Sequence, residues 1–253
     1  MNNAWAVVTG ASSGLGVAFA DRIASEGVGV VLVARREDKL REVAADLHRR
    51  RGVDTDVVAA DLSTQEGVQK VIDAMEGREL AYLVNNAGFG TLGDFEQADE
   101  SRIANELNLN VVALTQLSRA AAPGMVERGR GAIINVASTA AFQPIPRMAV
   151  YAASKAYVLR LTIALWSELH PTGVRALAIC PGPTETQFFA NAGNDAVMAD
   201  RRTPAQVVDT TFTALKQHRP YVVDGVRNTV MAFATRLAPT RLQAKLAEFV
   251  ATH

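Results

Sequence analysis

The chain has 253 residues, 49% of them hydrophobic, and its 26 basic side chains balance 26 acidic ones. That is enough apolar material for one large α/β domain or two small ones, and the neutral balance gives no footing for a nucleic-acid partner or an acidic membrane surface. One cysteine, Cys180, excludes an intramolecular disulfide, and the four histidines (His48, His170, His218, His253) are scattered without ligand spacing, so no metal is expected. The N-terminus enters an apolar run with no basic leader, and no uncharged stretch reaches the length of a membrane span. A cytoplasmic protein without stable membrane insertion is the expectation.

In chain order, residues 5–9 read as a buried strand ending in a glycine turn, Gly10 to Gly16, from which an amphipathic helix over 15–25 follows. A strand over 28–33, a polar helix over 37–51, a strand over 57–60 and a helix over 65–75 come next. The strand over 80–84 runs into Asn85-Asn86-Ala87-Gly88. A long helix over 101–127, a strand over 132–136, a helix over 149–169 and a strand over 174–179 continue the alternation. The last strand ends at Pro181-Gly182-Pro183. A helix over 204–217 and a short strand over 221–223 precede a tail.

Strands that are continuous apolar runs, alternating with helices, are the pattern of a parallel sheet covered on both faces. The chain is therefore expected to form an α/β fold with a doubly wound parallel sheet of about seven strands. It reads as a single domain over 1–253, with 224–253 a helical tail. Ligands of such sheets bind beyond the carboxyl ends of the strands. Gly10–Gly16, Arg35, Asp61, Asn86, Ser138 and Pro181 all fall there.

The stretch from Ser138 to Lys155 concentrates the chemistry. Tyr151 and Lys155 are four residues apart, one turn on the same helix face. A nearby ammonium is expected to lower a phenol's proton affinity, which makes Tyr151 a usable acid or base near neutral pH. Ser138 is placed to hold a substrate oxygen. Taken alone, the same residues also read as a half-buried tyrosine and a surface lysine. The glycine turn is G-x-x-x-G-x-G, which lets backbone approach a pyrophosphate at a helix N-terminus. Ser12 and Ser13 can donate to a phosphate or cap that helix.

With Thr9-Gly10-Ala11-Ser12-Ser13-Gly14-Leu15-Gly16, Asp61-Leu62, Asn85-Asn86-Ala87-Gly88, Asn110, Ser138, Tyr151-x-x-x-Lys155 and Pro181-Gly182 with Thr186, the chain resembles the short-chain dehydrogenase/reductase family over essentially its whole length. The resemblance implies a Rossmann-type fold and a catalytic tetrad of Asn110, Ser138, Tyr151 and Lys155. In it Tyr151 is the general acid/base, Lys155 tunes it and contacts the nicotinamide ribose, Ser138 orients the substrate oxygen, and Asn110 holds a water linking Lys155 to solvent. Asn108 is assigned to a solvent-facing helix position. The resemblance further implies that Gly10, Ser12, Ser13, Gly14, Leu15 and Gly16 hold the pyrophosphate. Asp61 and Leu62 would meet the adenine, Asn86, Ala87 and Gly88 the adenosine side, and Pro181, Gly182, Thr184 and Thr186 the nicotinamide.

Family members that use NAD place an acidic residue at the end of the second strand. Here that position is Ala34, followed by Arg35 and Arg36. Arginine grips a 2′-phosphate where a carboxylate repels it, so NADP(H) is expected in preference to NAD(H). Apolar residues, among them Ala140, Phe142, Ile145, Met148, Phe188 and Phe189, should wall the pocket for a small-molecule carbonyl or alcohol substrate, with Arg147 at the surface. The implied activity is an NADPH-dependent carbonyl reductase. An epimerase or dehydratase that uses the hydride transiently, and a non-catalytic NADP-binding sensor, are the alternatives. Pairing of the helices over 101–127 and 149–169, through residues such as Val111, Leu114, Leu117, Ala121, Val158, Leu161 and Leu165, is expected to give a homodimer, with a tetramer as the alternative.

Overall fold

Valine- and alanine-rich runs supply a sheet whose strands are buried on both faces. In a computed structural model of the chain, which describes residues 4–185 and 201–237, these are β1 (Ala4–Thr9), β2 (Gly29–Ala34), β3 (Thr55–Ala59), β4 (Glu79–Asn85), β5 (Gly131–Val136), β6 (Val174–Cys180) and β7 (Tyr221–Val223). They form one seven-stranded sheet in the order β3-β2-β1-β4-β5-β6-β7, parallel at every pairing. Strand order reverses between β1 and β4, the crevice where such sheets take ligands.

Neighbouring residues of a strand face opposite layers. Val8, Val30, Leu32 and Ile134 pack on one side under α1 (Gly14–Ala24), α2 (Glu37–Arg51) and, through Phe212 and Leu215, α7 (Pro204–Lys216). Val7, Val31, Leu83 and Ile133 pack on the other side under α3 (Gln65–Met75) and α5 (Leu114–Glu127). Val158 and Leu159 of α6 (Ala149–Leu169) close the core near Ala178 and Cys180. Cys180 is a buried packing residue. Between β4 and β5 a buried polar chain crosses the layers. Asn85 donates to Ser118 at 3.0 Å and to Asn135 at 2.8 Å, and Asn135 donates to Thr162 at 2.9 Å. Each amide is thereby satisfied away from water.

The expected helix over 101–127 is not continuous. It is built as α4 (Glu100–Leu107), a π-helical segment Asn108–Ala113, and α5. The wider turn carries Asn110, buried at 1% exposure, while Asn108 faces solvent as expected. A π-turn gives up regular backbone geometry, and here the Asn110 amide supplies compensating hydrogen bonds to the backbone after β4. A second difference concerns the helix faces expected to pair two copies. Leu114, Leu117, Ala121 and Val158 are consumed by the core, and it is Leu107, Val112 and Tyr157 that stay exposed. Within the tail, α8 spans Val226–Leu237. The stripe Leu242, Leu246, Phe249 and Val250, along with Thr186, Phe188 and Phe189, lies outside the described residues.

Candidate active site

The turn after β1 is shaped by close approach. Gly10 has φ +67°, and a Cβ there would sit 2.7 Å from Asn86 Nδ2. A Cβ on Gly16 would sit 2.1 Å from the Gly10 carbonyl oxygen, which is backbone and cannot swing away. Gly16→Ala is therefore expected to destabilise the fold by about 2–3 kcal/mol through overpacking. A fall in Tm of about 5–10 °C should report it in thermal denaturation. The amide edge of α1 opens at Gly14, after Ser13 at the N-cap position. The Ser13 hydroxyl makes no capping hydrogen bond, so of the two readings of that serine the cap is not the one realised. Ser12 Oγ accepts from Arg36 at 3.4 Å. Arg35 and Arg36 are exposed where β2 passes into α2, so glycine turn, hydroxyls and guanidinium groups share one edge. That set of donors fits a phosphate, and the bare Gly10 and Gly16 Cα atoms leave the room it needs.

Asp61 lies exposed beyond β3. Its Oδ1 accepts from the Ser63 amide at 3.0 Å and the Ser63 hydroxyl at 2.8 Å, while Leu62 is buried beside it. Beyond β4, Asn86 Nδ2 donates to the Thr9 carbonyl at 2.8 Å, and the amides of Asn86 and Ala87 donate to the Thr9 hydroxyl. Thr9 thus pins β4 to β1 at the crevice, a role the sequence reading assigned to the Asn86 side alone.

Ser138, Tyr151, Lys155 and Asn110 come from β5, α6 and the π-segment and meet at the same edge. Tyr151 is 8% and Lys155 5% exposed. Lys155 Nζ donates to the Val136 carbonyl at 2.8 Å and lies 5.8 Å from the Tyr151 ring centroid. Asn110 Nδ2 donates to the Phe89 carbonyl at 2.9 Å and to Ser154 Oγ at 3.1 Å, and Asn110 Oδ1 accepts from the Phe89 amide at 3.2 Å. Ser154 in turn donates to the Tyr151 carbonyl. Gly88 lies against both groups, since a Cβ there would sit 2.9 Å from Asn110 Oδ1 and 3.4 Å from Lys155 Nζ. Ser138 Oγ accepts from the Ala140 amide at 3.1 Å and hydrogen-bonds the Tyr151 phenol.

The electrostatics differ from the expectation that lysine lowers the phenol. Burial pushes Tyr151 up to about 12, against the smaller downward pull of the Ser138 hydrogen bond. Burial also pulls Lys155 down to about 8, with the nearby Cys180 and Glu106 acting in the opposite direction. Removing water disfavours the charged form of each group, and in this pocket that outweighs their mutual attraction. Tyr151 therefore holds its proton throughout the neutral range. Sequence reasoning missed Ser154, which is visible only as the third residue after Tyr151, and Gly90, whose absent Cβ would press 3.1 Å from the Tyr151 ring.

After β6, the Pro181 carbonyl accepts from the Thr139 amide at 2.9 Å. A Cβ on Gly182 would collide with Asn228 of α8 at 2.2 Å. Thr184 is buried and its hydroxyl turns back to the Gly182 carbonyl at 3.0 Å. Of the expected pocket walls, Met148 reaches Gly90 next to Tyr151. Phe142 and Ile145 line an open groove of about 540 Å³ with Ala149, Ala152 and Ala156, and among the described residues Tyr151 is not part of its wall. Arg147 is a surface residue paired with Asp94 at 3.2 Å.

Comparison with known proteins agrees with this arrangement. Residues 4–196 match the model of the family described as short chain dehydrogenase. A hydroxysteroid dehydrogenase-like protein 1 from Gallus gallus is 36% identical over 189 residues, 74% of this chain, and the chain spans only 57% of that relative's length. A 7beta-hydroxysteroid dehydrogenase from Mediterraneibacter gnavus is 31% identical over 229 residues, 88% of this chain and 87% of that protein. The structure of a short-chain dehydrogenase from Sphingobium yanoikuyae in complex with NADPH superposes with a TM-score of 0.85 at 33% identity, covering 92% of this chain and 93% of that one. Matched over most of its length by the family model and by relatives above 30% identity, the chain belongs to the short chain dehydrogenase family of oxidoreductases.

Proposed function

We propose that the protein is an NADP(H)-dependent carbonyl reductase, reversible toward alcohol oxidation, acting on a mainly apolar small molecule. The observation that carries this reading is the convergence of Ser138, Tyr151, Lys155 and Asn110 at the carboxyl edge of the sheet, one strand away from a phosphate-sized glycine turn. When bound, a reduced nicotinamide supplies the hydride. Ser138 holds the carbonyl oxygen, and Tyr151 gives that oxygen its proton. A phenol kept protonated by burial suits the donor role, so reduction is the favoured direction at neutral pH. Asn110 positions α6 through Ser154 and the backbone after β4. Lys155 contributes positive charge beside the phenol.

Arg35 and Arg36 support NADP(H) over NAD(H), because two exposed guanidinium groups stand where an acidic residue would grip a ribose hydroxyl. The NADPH complex of the Sphingobium relative supports the same choice. We further infer a single domain with 224–253 as a helical tail, assembled as a cytoplasmic homodimer through the helix faces that carry Leu107, Val112 and Tyr157. Among the described residues no helix is long and apolar enough to cross a membrane.

The test is a panel of apolar ketones and aldehydes, steroid ketones first on the strength of the hydroxysteroid relatives, incubated with NADPH and the purified protein. Stoichiometric loss of NADPH with appearance of the alcohol is expected for at least one substrate. Tight NADPH binding with no consumption across the panel would favour the sensor reading, and product formed without net consumption would favour an epimerase or dehydratase.

A further inference from the structure

We propose that Glu106 is a positioning residue of the active site, whose buried carboxylate holds the proton on Lys155 and keeps that lysine an ammonium beside Tyr151. The inference rests on the roles proposed above for Lys155 and Tyr151, and it concerns a residue outside the four that resemblance assigns.

Glu106 lies in α4, four residues before Asn110. It is 0% exposed, and among the described residues neither carboxylate oxygen has a hydrogen-bond partner. Burying a carboxylate without a partner is expensive, so its place calls for a compensating charge. The groups facing it are few. On its own helix Arg102 is one turn earlier, but that guanidinium stacks on the Phe89 ring at 5.2 Å and reaches the Gly90 carbonyl at 3.4 Å. From the loop after β4 comes Thr91, whose hydroxyl is itself buried and unpaired. From α6, which packs on α4, come Lys155 and Tyr151. From β6, Cys180 stands next to Lys155. Lys155 is thus the buried cation among them, with its Nζ otherwise engaged by one neutral carbonyl, that of Val136.

The physical consequence has a definite sign. A negative charge close to Lys155 favours its ammonium, and close to Tyr151 it disfavours the phenolate. Both effects keep the pair in its proton-bearing form, the form that a carbonyl reductase needs. Burial alone pulls Lys155 down to about 8, close enough to neutrality that losing one neighbouring charge changes its state in the working range.

The experiment titrates Lys155 directly, by NMR of full-length protein with carbon-13 at the lysine ε position, the Lys155 signal being assigned by its loss in Lys155→Arg. In Glu106→Gln and in the apolar Glu106→Met the Lys155 midpoint should fall by about half to one pH unit. In Glu106→Asp, which keeps the charge, it should stay near the wild-type value. An unchanged midpoint in the folded neutral variants would overturn the proposal, whatever happened to their stability. Glu106→Met leaves no polar group buried and covers the case in which Glu106→Gln fails to fold. If the reductase reading also holds, turnover at pH 8 relative to pH 6 should drop up to about fivefold in the neutral variants, because the ammonium fraction at pH 8 falls from about a half toward a tenth. A midpoint shift in a protein that reduces no carbonyl would uphold the charge coupling while rejecting the reductase.

Discussion

Tyr151→Phe is expected to reduce kcat on the best carbonyl substrate by about 100- to 10,000-fold, the usual worth of general acid–base catalysis. The phenol is 8% exposed, and burial holds its proton at every pH up to about 12. Phenylalanine fills the same space but has no proton to give. The ring's neighbours, Gly90 and Met148, make contact with carbon atoms or stand clear of the hydroxyl. The main-chain bond from Ser154 to the residue 151 carbonyl is unaffected by the change. The glycine turn and the two arginines are untouched, so NADPH binding by calorimetry should be nearly that of the wild type. Near-normal turnover in the variant would remove Tyr151 from the chemistry and leave Ser138 or a solvent proton as the donor.

Ala34→Asp combined with Arg35→Ala should move the ratio of kcat/KM for NADPH over that for NADH by about 100-fold or more toward NADH. A charge-assisted hydrogen bond contributes about 1.5–3 kcal/mol, and each 1.4 kcal/mol is tenfold. The introduced carboxylate adds repulsion toward a 2′-phosphate to that loss. β2 ends at Ala34, so an aspartate there projects from the strand end beside the glycine turn. Arg36 remains in the double variant, with a guanidinium nitrogen 3.4 Å from Ser12 Oγ. Some NADPH activity should therefore persist, and Arg36→Ala added to the pair should remove most of it. Steady-state kinetics with both cofactors decides the matter, and a wild-type protein that already prefers NADH would end the arginine argument.

Much of the architecture could be read from the chain because parallel strands and amphipathic helices have different periods, and each element here keeps to its own. The strand bounds agree with expectation to within two residues, and α2, α3 and α6 span the expected residues. The break at Asn108–Ala113 could not be read, since Leu107 to Leu114 has good helical propensity throughout. The π-turn is tolerated because Asn110 finds Phe89 and Ser154, partners 21 and 44 residues away. The surplus apolar faces of the long helices were misjudged for a similar reason. Helical spacing shows that a residue lies on a stripe, but not which stripe the sheet covers.

By itself, the sequence determined the sheet and the edge at which the site forms. Once strands run parallel, every loop that follows a strand must emerge at the same end, so Gly10, Asp61, Asn86, Ser138 and Pro181 gather there from their order alone. Only the tertiary structure decided the protonation of the site. Spacing puts Tyr151 and Lys155 one turn apart, and from that distance the ammonium should have lowered the phenol. The surrounding core removes the water that either charge would need, so Tyr151 rises and Lys155 falls, and Glu106 is carried into the same dry volume. Desolvation depends on everything packed around a group, and those atoms come from β4, β5, β6 and α4, far from α6 along the chain.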